Sequence, residues 1–201
     1  MPSEPRLVAI LLAAGESRRM GRPKPLLEWR GATLIEYQVA ELRAAGIAEV
    51  IAVLGAEAEA VRPVAERAGA RVILNPAYRQ GRAGSIRAGA LAAPDDADAV
   101  LLLNVDQPRG RSISRAVLTA HLRDGNLITV PAWQGRRGHP VVLTSALLGE
   151  LRDVREETEG LRAVMRRHAG RRVELALDDP AVLLDLNLPE QYEAALRYTQ
   201  S

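Results

Sequence analysis

The feature that most restricts the fold is a continuous apolar run, Leu7-Val-Ala-Ile-Leu-Leu12, that stops abruptly at Ala13-Ala14-Gly15. A strand with one wet face alternates polar and apolar residues; this one has no polar position at all. It therefore predicts a strand covered on both sides, as in a parallel sheet with helices above and below. Further strands are expected at residues 49–54, 71–74 and 99–105, and shorter ones at 127–130, 140–143, 172–175 and 182–185. Helical segments lie between these runs. One starts at Thr33, with Glu36 in capping-box spacing and Gly46 as its stop. Others are expected at 57–67, 85–91, 112–122, near 145–151 and 160–168, and from Pro189 onward, where proline suits a first helical turn. Strands alternating with helices predict an α/β three-layer sandwich with a mostly parallel sheet, and residues 1–201 read as a single domain.

Composition narrows the function classes. Phe is absent and aromatics are 3% of the chain, so the core must be built from Leu, Val, Ile and Ala. A net charge of +2 from 27 basic and 25 acidic residues is too balanced for a nucleic-acid partner. Without cysteine there is neither a disulfide nor a thiolate metal site. No run approaches the ~20 apolar residues of a membrane span, and the N-terminus lacks the pattern of an export signal. A cytoplasmic protein with no membrane partner is expected.

The loop after the first strand, Leu12-Ala-Ala-Gly-Glu-Ser-Arg-Arg-Met-Gly-Arg-Pro-Lys-Pro-Leu27, lies where open α/β sheets bind ligands. Leu12, Ala13, Ala14 and Gly15 let backbone amides approach a base or phosphate, and Arg18, Arg19 and Lys24 bring three positive charges beside that turn. Such a cluster calls for an anion, and a triphosphate would complete it. Neither the G-x-G-x-x-G fingerprint nor the G-K-[ST] of a P-loop is present. The segment resembles instead the signature L-A-[AG]-G-x-S-x-R-M-G-x-x-K-x-L of the MobA-like nucleotidyltransferases. It is most similar to the molybdenum cofactor cytidylyltransferases of the MocA type. Ala14 and Pro23 stand where the guanylyltransferase branch has glycine and aspartate, which favours CTP. The resemblance implies a Rossmann-like sheet of the nucleotide-diphospho-sugar transferase type.

It extends along nearly the whole chain. Asn75-Pro76-Ala-Tyr78-Arg-Gln-Gly81-Arg-Ala-Gly84-Ser85 resembles the family's base-recognition segment, which makes Asn75, Gly81 and Ser85 nucleotide-binding candidates; Ser85 also reads as a helix cap. Asp106, in Asn104-Val-Asp-Gln-Pro108, emerges from a buried strand, where a carboxylate is costly unless solvated or holding a cation. Magnesium, a hard ion, suits it. The resemblance assigns the second metal ligand to Asn187, with Asp185 as a fallback. It assigns the acceptor side to Gly138, His139 and Pro140, whereas Thr158 replaces the aspartate of a G-D-x-G-[AL]-R element that keeps Gly160 and Arg162. His121 and His168 read as structural.

The chemistry implied is in-line attack by an acceptor phosphate on the α-phosphorus of CTP, with Lys24, Arg19 and Asp106 as the catalytic set. Molybdopterin or the molybdenum cofactor would be the acceptor, and an apo-molybdoenzyme or its chaperone the receiver of the product. Three rivals remain: a guanylyltransferase, a sugar-phosphate nucleotidyltransferase, and a non-catalytic cofactor carrier.

Overall fold

The structure is a computed structural model and describes residues 4–200. Its strands and helices run in the order β1 (Leu7–Ala13), β2 (Glu28–Trp29), β3 (Ala32–Thr33), α1 (Leu34–Ala44), β4 (Glu49–Leu54), α2 (Ala58–Arg67), β5 (Arg71–Leu74), α3 (Arg82–Ala92), β6 (Ala99–Asn104), α4 (Arg111–Asp124), β7 (Ile128–Trp133), β8 (Arg136–Arg137), β9 (Val141–Thr144), α5 (Leu148–Arg152), α6 (Leu161–Arg167), β10 (Arg172–Ala176) and α7 (Pro189–Gln200). Eight strands form one sheet in the order β10-β7-β9-β6-β1-β4-β5, with β8 paired to β7. β5, β4, β1 and β6 are mutually parallel, while β9 runs against both β6 and β7. Leu12 pairs with Asn104 and Ala13 with Leu54, so the carboxyl ends of β6, β1 and β4 are level and share one rim.

The uninterrupted apolar run of β1 serves two cores at once. Leu7, Ala9, Leu11 and Ala13 join the core under α1, α2, α4 and α7, whereas Val8, Ile10 and Leu12 face α3, α5 and α6. Helices on both faces make the three-layer α/β/α sandwich. Close approach of α3 to the sheet depends on Gly89, where a Cβ would lie 3.1 Å from Val53 Cγ2 and nearer still to Ile10 Cγ2. Leu, Val, Ile and Ala make up most of both cores; Trp29, only 2% exposed, is the main aromatic exception.

The capping box forms at α1: Thr33 Oγ1 accepts from the Glu36 amide at 3.3 Å, and Glu36 Oε2 accepts from the Thr33 amide at 3.0 Å. Elsewhere element boundaries differ from expectation. α3 begins at Arg82 with Gly81 as its cap, so Ser85 sits inside the helix and does not cap it. α4 begins at Arg111 behind Gly110, not at Ser112. The strand expected at 182–185 is a 3-10 turn, Pro180–Leu183, started by Asp179, whose side chain accepts from the Ala181 amide at 2.8 Å. That local Asx bond and the Pro180 ring outcompete the apolar run Val182-Leu-Leu184. Among the described residues no helix is long and apolar enough to cross a membrane.

Candidate active site

A cleft of about 580 Å³ opens along the carboxyl ends of β1 and β6. Leu12, Ala13, Ala14, Gly15, Arg18, Arg19 and Lys24 line one side, Gly81, Arg82 and Ser85 another, and Asp106, Asp185 and Asn187 lie between. The β1 loop is stapled by Ser17, a residue in the left-handed region at φ 53. Its Oγ accepts from the Lys24 amide at 3.0 Å, and its carbonyl accepts from Met20 and Gly21 at 2.9 and 3.2 Å. These bonds fix where the loop's basic side chains emerge.

The three positive charges are less exposed to one another than the sequence suggests. Glu16 pairs with Arg18 at 2.6 Å and with Arg79 at 3.0 Å. Lys24 Nζ donates to Asp106 Oδ2 at 2.6 Å and to Asn187 Oδ1 at 2.8 Å. Of the three, Arg19 alone makes no ion pair among the described residues. The loop is thus partly neutralised from within, which corrects the expectation that only a bound anion could complete it.

Asp106 is held from several directions. Val105 N donates to Leu12 O at 3.0 Å, binding the end of β6 to β1. Gln38, fully buried on α1, clamps the turn: its Nε2 donates to Gln107 O at 2.7 Å, and its Oε1 accepts from Arg109 N at 3.2 Å. Leu186 N donates to Asp106 O at 2.8 Å and so brings Asp185 and Asn187 to the same rim. Burial and the neighbouring Asp106 carboxylate raise the pKa of Asp185, opposed by Lys24 and by bonds from Asn187 and Gln107; its Oδ1 is buried without a hydrogen-bond partner.

At the other end of the cleft, Asn75 is a support. Its Nδ2 donates to Ser85 Oγ at 3.0 Å and its Oδ1 accepts from Ala77 N at 3.1 Å, so it orients Ser85 without lining the cleft itself. Gly81 needs its φ of +118°, and a Cβ there would lie 2.5 Å from Glu156 Oε2, the atom that accepts from Ala83 N at the start of α3.

Gly138, His139 and Pro140 do not line the cleft. A Cβ on Gly138 would lie 2.5 Å from Val182 Cγ1 and closer to its carbonyl, so this glycine is required by packing. Burial, with Arg82 and Arg109 adding to it, pushes the His139 imidazole down to about 3, which keeps it neutral. The link to the rim is Arg109, 1% exposed, which donates to His139 O at 2.9 Å, Val182 O at 2.8 Å and Pro108 O at 3.1 Å. Burial lowers the Arg109 pKa to about 10, so it stays cationic at neutral pH. Thr158 turns inward to its own loop, donating to Arg155 O at 3.1 Å. His121 Nδ1 lies 3.0 Å from Thr129 Oγ1 and His168 Nε2 lies 2.7 Å from Glu150 Oε1, both away from the cleft.

Sequence reasoning missed Arg82, Gln38 and Arg109. Arg82 lines the cleft, close enough to Asp106, Asp185 and Glu156 to feel their charge, while desolvation lowers its pKa. Its place between Gly81 and Ser85 was the available signal. Gln38 and Arg109 gave none, because a helical Gln and one more Arg look like surface.

Comparison with known proteins gives this geometry a family. Residues 9–173 match the family model described as the MobA-like NTP transferase domain. The nicotine blue oxidoreductase of Paenarthrobacter nicotinovorans is 35% identical over 172 residues, covering 81% of this chain and 82% of that protein. A probable molybdenum cofactor guanylyltransferase of Opitutus terrae is 53% identical over 51 residues, 25% of each chain. The crystal structure of Rv0371c from Mycobacterium tuberculosis H37Rv has a TM-score of 0.82 at 28% identity, covering 97% of this chain and 100% of that one. A manganese complex of the same protein has a TM-score of 0.77 at 27% identity, covering 96% and 98%.

Proposed function

We propose that this chain, which belongs to the MobA-like NTP transferase family of nucleotidyltransferases, moves CMP from CTP onto the phosphate of molybdopterin or the molybdenum cofactor, with magnesium and with release of pyrophosphate. The observation that carries this is the convergence of Lys24, Asp106 and Asn187 at the rim of a cleft large enough for a nucleotide. Asp106 and Asn187 offer one carboxylate and one amide oxygen to a common cation, here the Lys24 ammonium. Hard oxygen donors of that kind fit magnesium, and these two residues would hold it. When bound, the ion supplies charge withdrawal from the α-phosphate.

The rest is done by the chain's own groups. Arg19, free of ion pairs among the described residues, is available for a bidentate phosphate contact, and Lys24 supplies a point charge. Both act where charge develops on the α-phosphate and the departing pyrophosphate. An acceptor phosphate oxygen forms the new bond to the α-phosphorus as the bond to the bridging oxygen of pyrophosphate breaks; no covalent protein intermediate is needed. Ala14 and Gly15 admit the base, and Asn75 fixes Ser85 beside it. Ala14 and Pro23 favour cytosine over guanine. The manganese complex of the Mycobacterium relative supports a divalent cation.

Two other readings have an observation behind them. The short Opitutus match favours GTP, as does Asn187, which stands where the guanylyltransferase branch commonly has asparagine and many cytidylyltransferases have aspartate; the name of the Paenarthrobacter relative points to redox chemistry. Pyrophosphate release with each of the four NTPs, magnesium and molybdopterin separates them. Release with CTP alone is expected, and release with GTP alone would replace the assignment by guanylyl transfer. CTP binding without release for any NTP would favour a carrier. Reduction of nicotine blue by an added electron donor, without pyrophosphate release, would favour the oxidoreductase reading.

A further inference from the structure

Lys24 is the only lysine among the 27 Lys and Arg residues of this chain. Its side chain is 12% exposed, and its ammonium lies between Asp106 Oδ2 at 2.6 Å and Asn187 Oδ1 at 2.8 Å. These residues are the proposed donors to the metal. A magnesium ion needs the same oxygens at about 2.0–2.1 Å, which leaves no room for the ammonium between them. Two cations in one oxygen cradle would also repel strongly.

We propose that Lys24 is the resident counter-cation of the metal site: it holds Asp106 and Asn187 together until a divalent cation, arriving with the triphosphate, displaces its ammonium onto the phosphates. Three observations support the exchange. The carboxylate's backbone is fixed by β6 and by the Leu186 amide bond to Asp106 O at 2.8 Å, so the oxygens stay in place. The Lys24 backbone is fixed by its 3.0 Å bond to Ser17 Oγ, so only the flexible four-carbon stem must move. A compact ammonium can mimic a metal ion, whereas the planar fork of Arg, used at every other basic position, cannot. The consequence is coupling. A metal binding alone must push the ammonium out without a new partner, whereas a metal with a triphosphate gives it one. Metal and nucleotide should therefore strengthen each other's binding by the same factor.

The inference rests on the proposed function only in taking Asp106 and Asn187 as metal donors, and its test needs no turnover. Manganese binding is measured by electron paramagnetic resonance in wild type and Lys24→Met, with and without CTP. Without nucleotide, Lys24→Met should bind manganese about tenfold more tightly or better, with a smaller gain on adding CTP. Equal or weaker binding in the folded variant, with the coupling intact, overturns the proposal. A second measurement uses wild-type protein: as the sole lysine, Lys24 can be followed by its acylation rate with an N-hydroxysuccinimide ester, read on its own peptide by mass spectrometry so that the α-amino group is counted separately. Saturating manganese should raise that rate, and an unchanged rate overturns the proposal. A chain that releases no pyrophosphate with any NTP would lose the proposed function while leaving both measurements decisive.

Discussion

Replacing Arg109 by Met tests whether one buried cation organises the rim. Its guanidinium bonds three carbonyls, of which His139 O and Val182 O belong to segments distant in sequence. Met fills much of the volume but donates nothing. A stranded buried carbonyl costs about 1–3 kcal/mol; Val182 O keeps a second donor in the His139 amide at 3.3 Å, so the two long-range bonds together are worth roughly 3 kcal/mol. Removing a desolvated charge returns part of that, since a buried cation is costly in itself. Asp185, Asp179 and Asp106 lose a favourable neighbour in exchange. A net loss of about 2 kcal/mol is expected. For a chain of this size that lowers Tm by roughly 4–8 °C, measurable by calorimetry or by circular dichroism melting. Local hydrogen exchange should rise at residues 138–140 and 182–187, the two segments that Arg109 joins. A Tm within ~2 °C of wild type, with exchange unchanged, would refute the assignment of Arg109 as the clasp of this rim.

Asp106→Asn should keep the fold but reduce pyrophosphate release by about a thousandfold or more, because it removes the one full negative charge proposed to hold the cation; wild-type turnover would contradict that role. Gly138→Ala should destabilise by about 2–3 kcal/mol in urea unfolding, since its Cβ would press on Val182. His139 sets an acid limit. Its folded pKa, about 3, lies below the ordinary value of 6.5, so the unfolded chain binds the proton first. Stability is complete above pH 6.5 and falls as pH drops towards 3, by roughly 2–4 kcal/mol from this partly exposed group; His139→Gln should lose that part of the pH dependence in stability measurements. Arg82→Ala should raise the KM for the acceptor or for CTP by at least about tenfold with the melting temperature unchanged, and kinetics unaltered in both substrates would remove Arg82 from the site.

The sequence by itself determined the layering. An apolar run with no polar position, as in β1, can only be buried on both faces, and its alternate residues supply the two cores observed. The loop after it was legible for a related reason: small residues followed by Arg18, Arg19 and Lys24 have a local chemical meaning independent of the rest of the fold. Tertiary structure decided what those charges do. Glu16 neutralises Arg18, and the 2.6 Å contact of Lys24 with Asp106 spans 82 positions, a pairing no local pattern encodes. It also decided that Asn75 bonds Ser85 and that Gly138 packs against Val182. Arg109 and Gln38 show the same limit: a polar side chain reads as surface until the carbonyls it must satisfy are folded around it. Those carbonyls come from separate segments that only the closed sheet brings within hydrogen-bond reach.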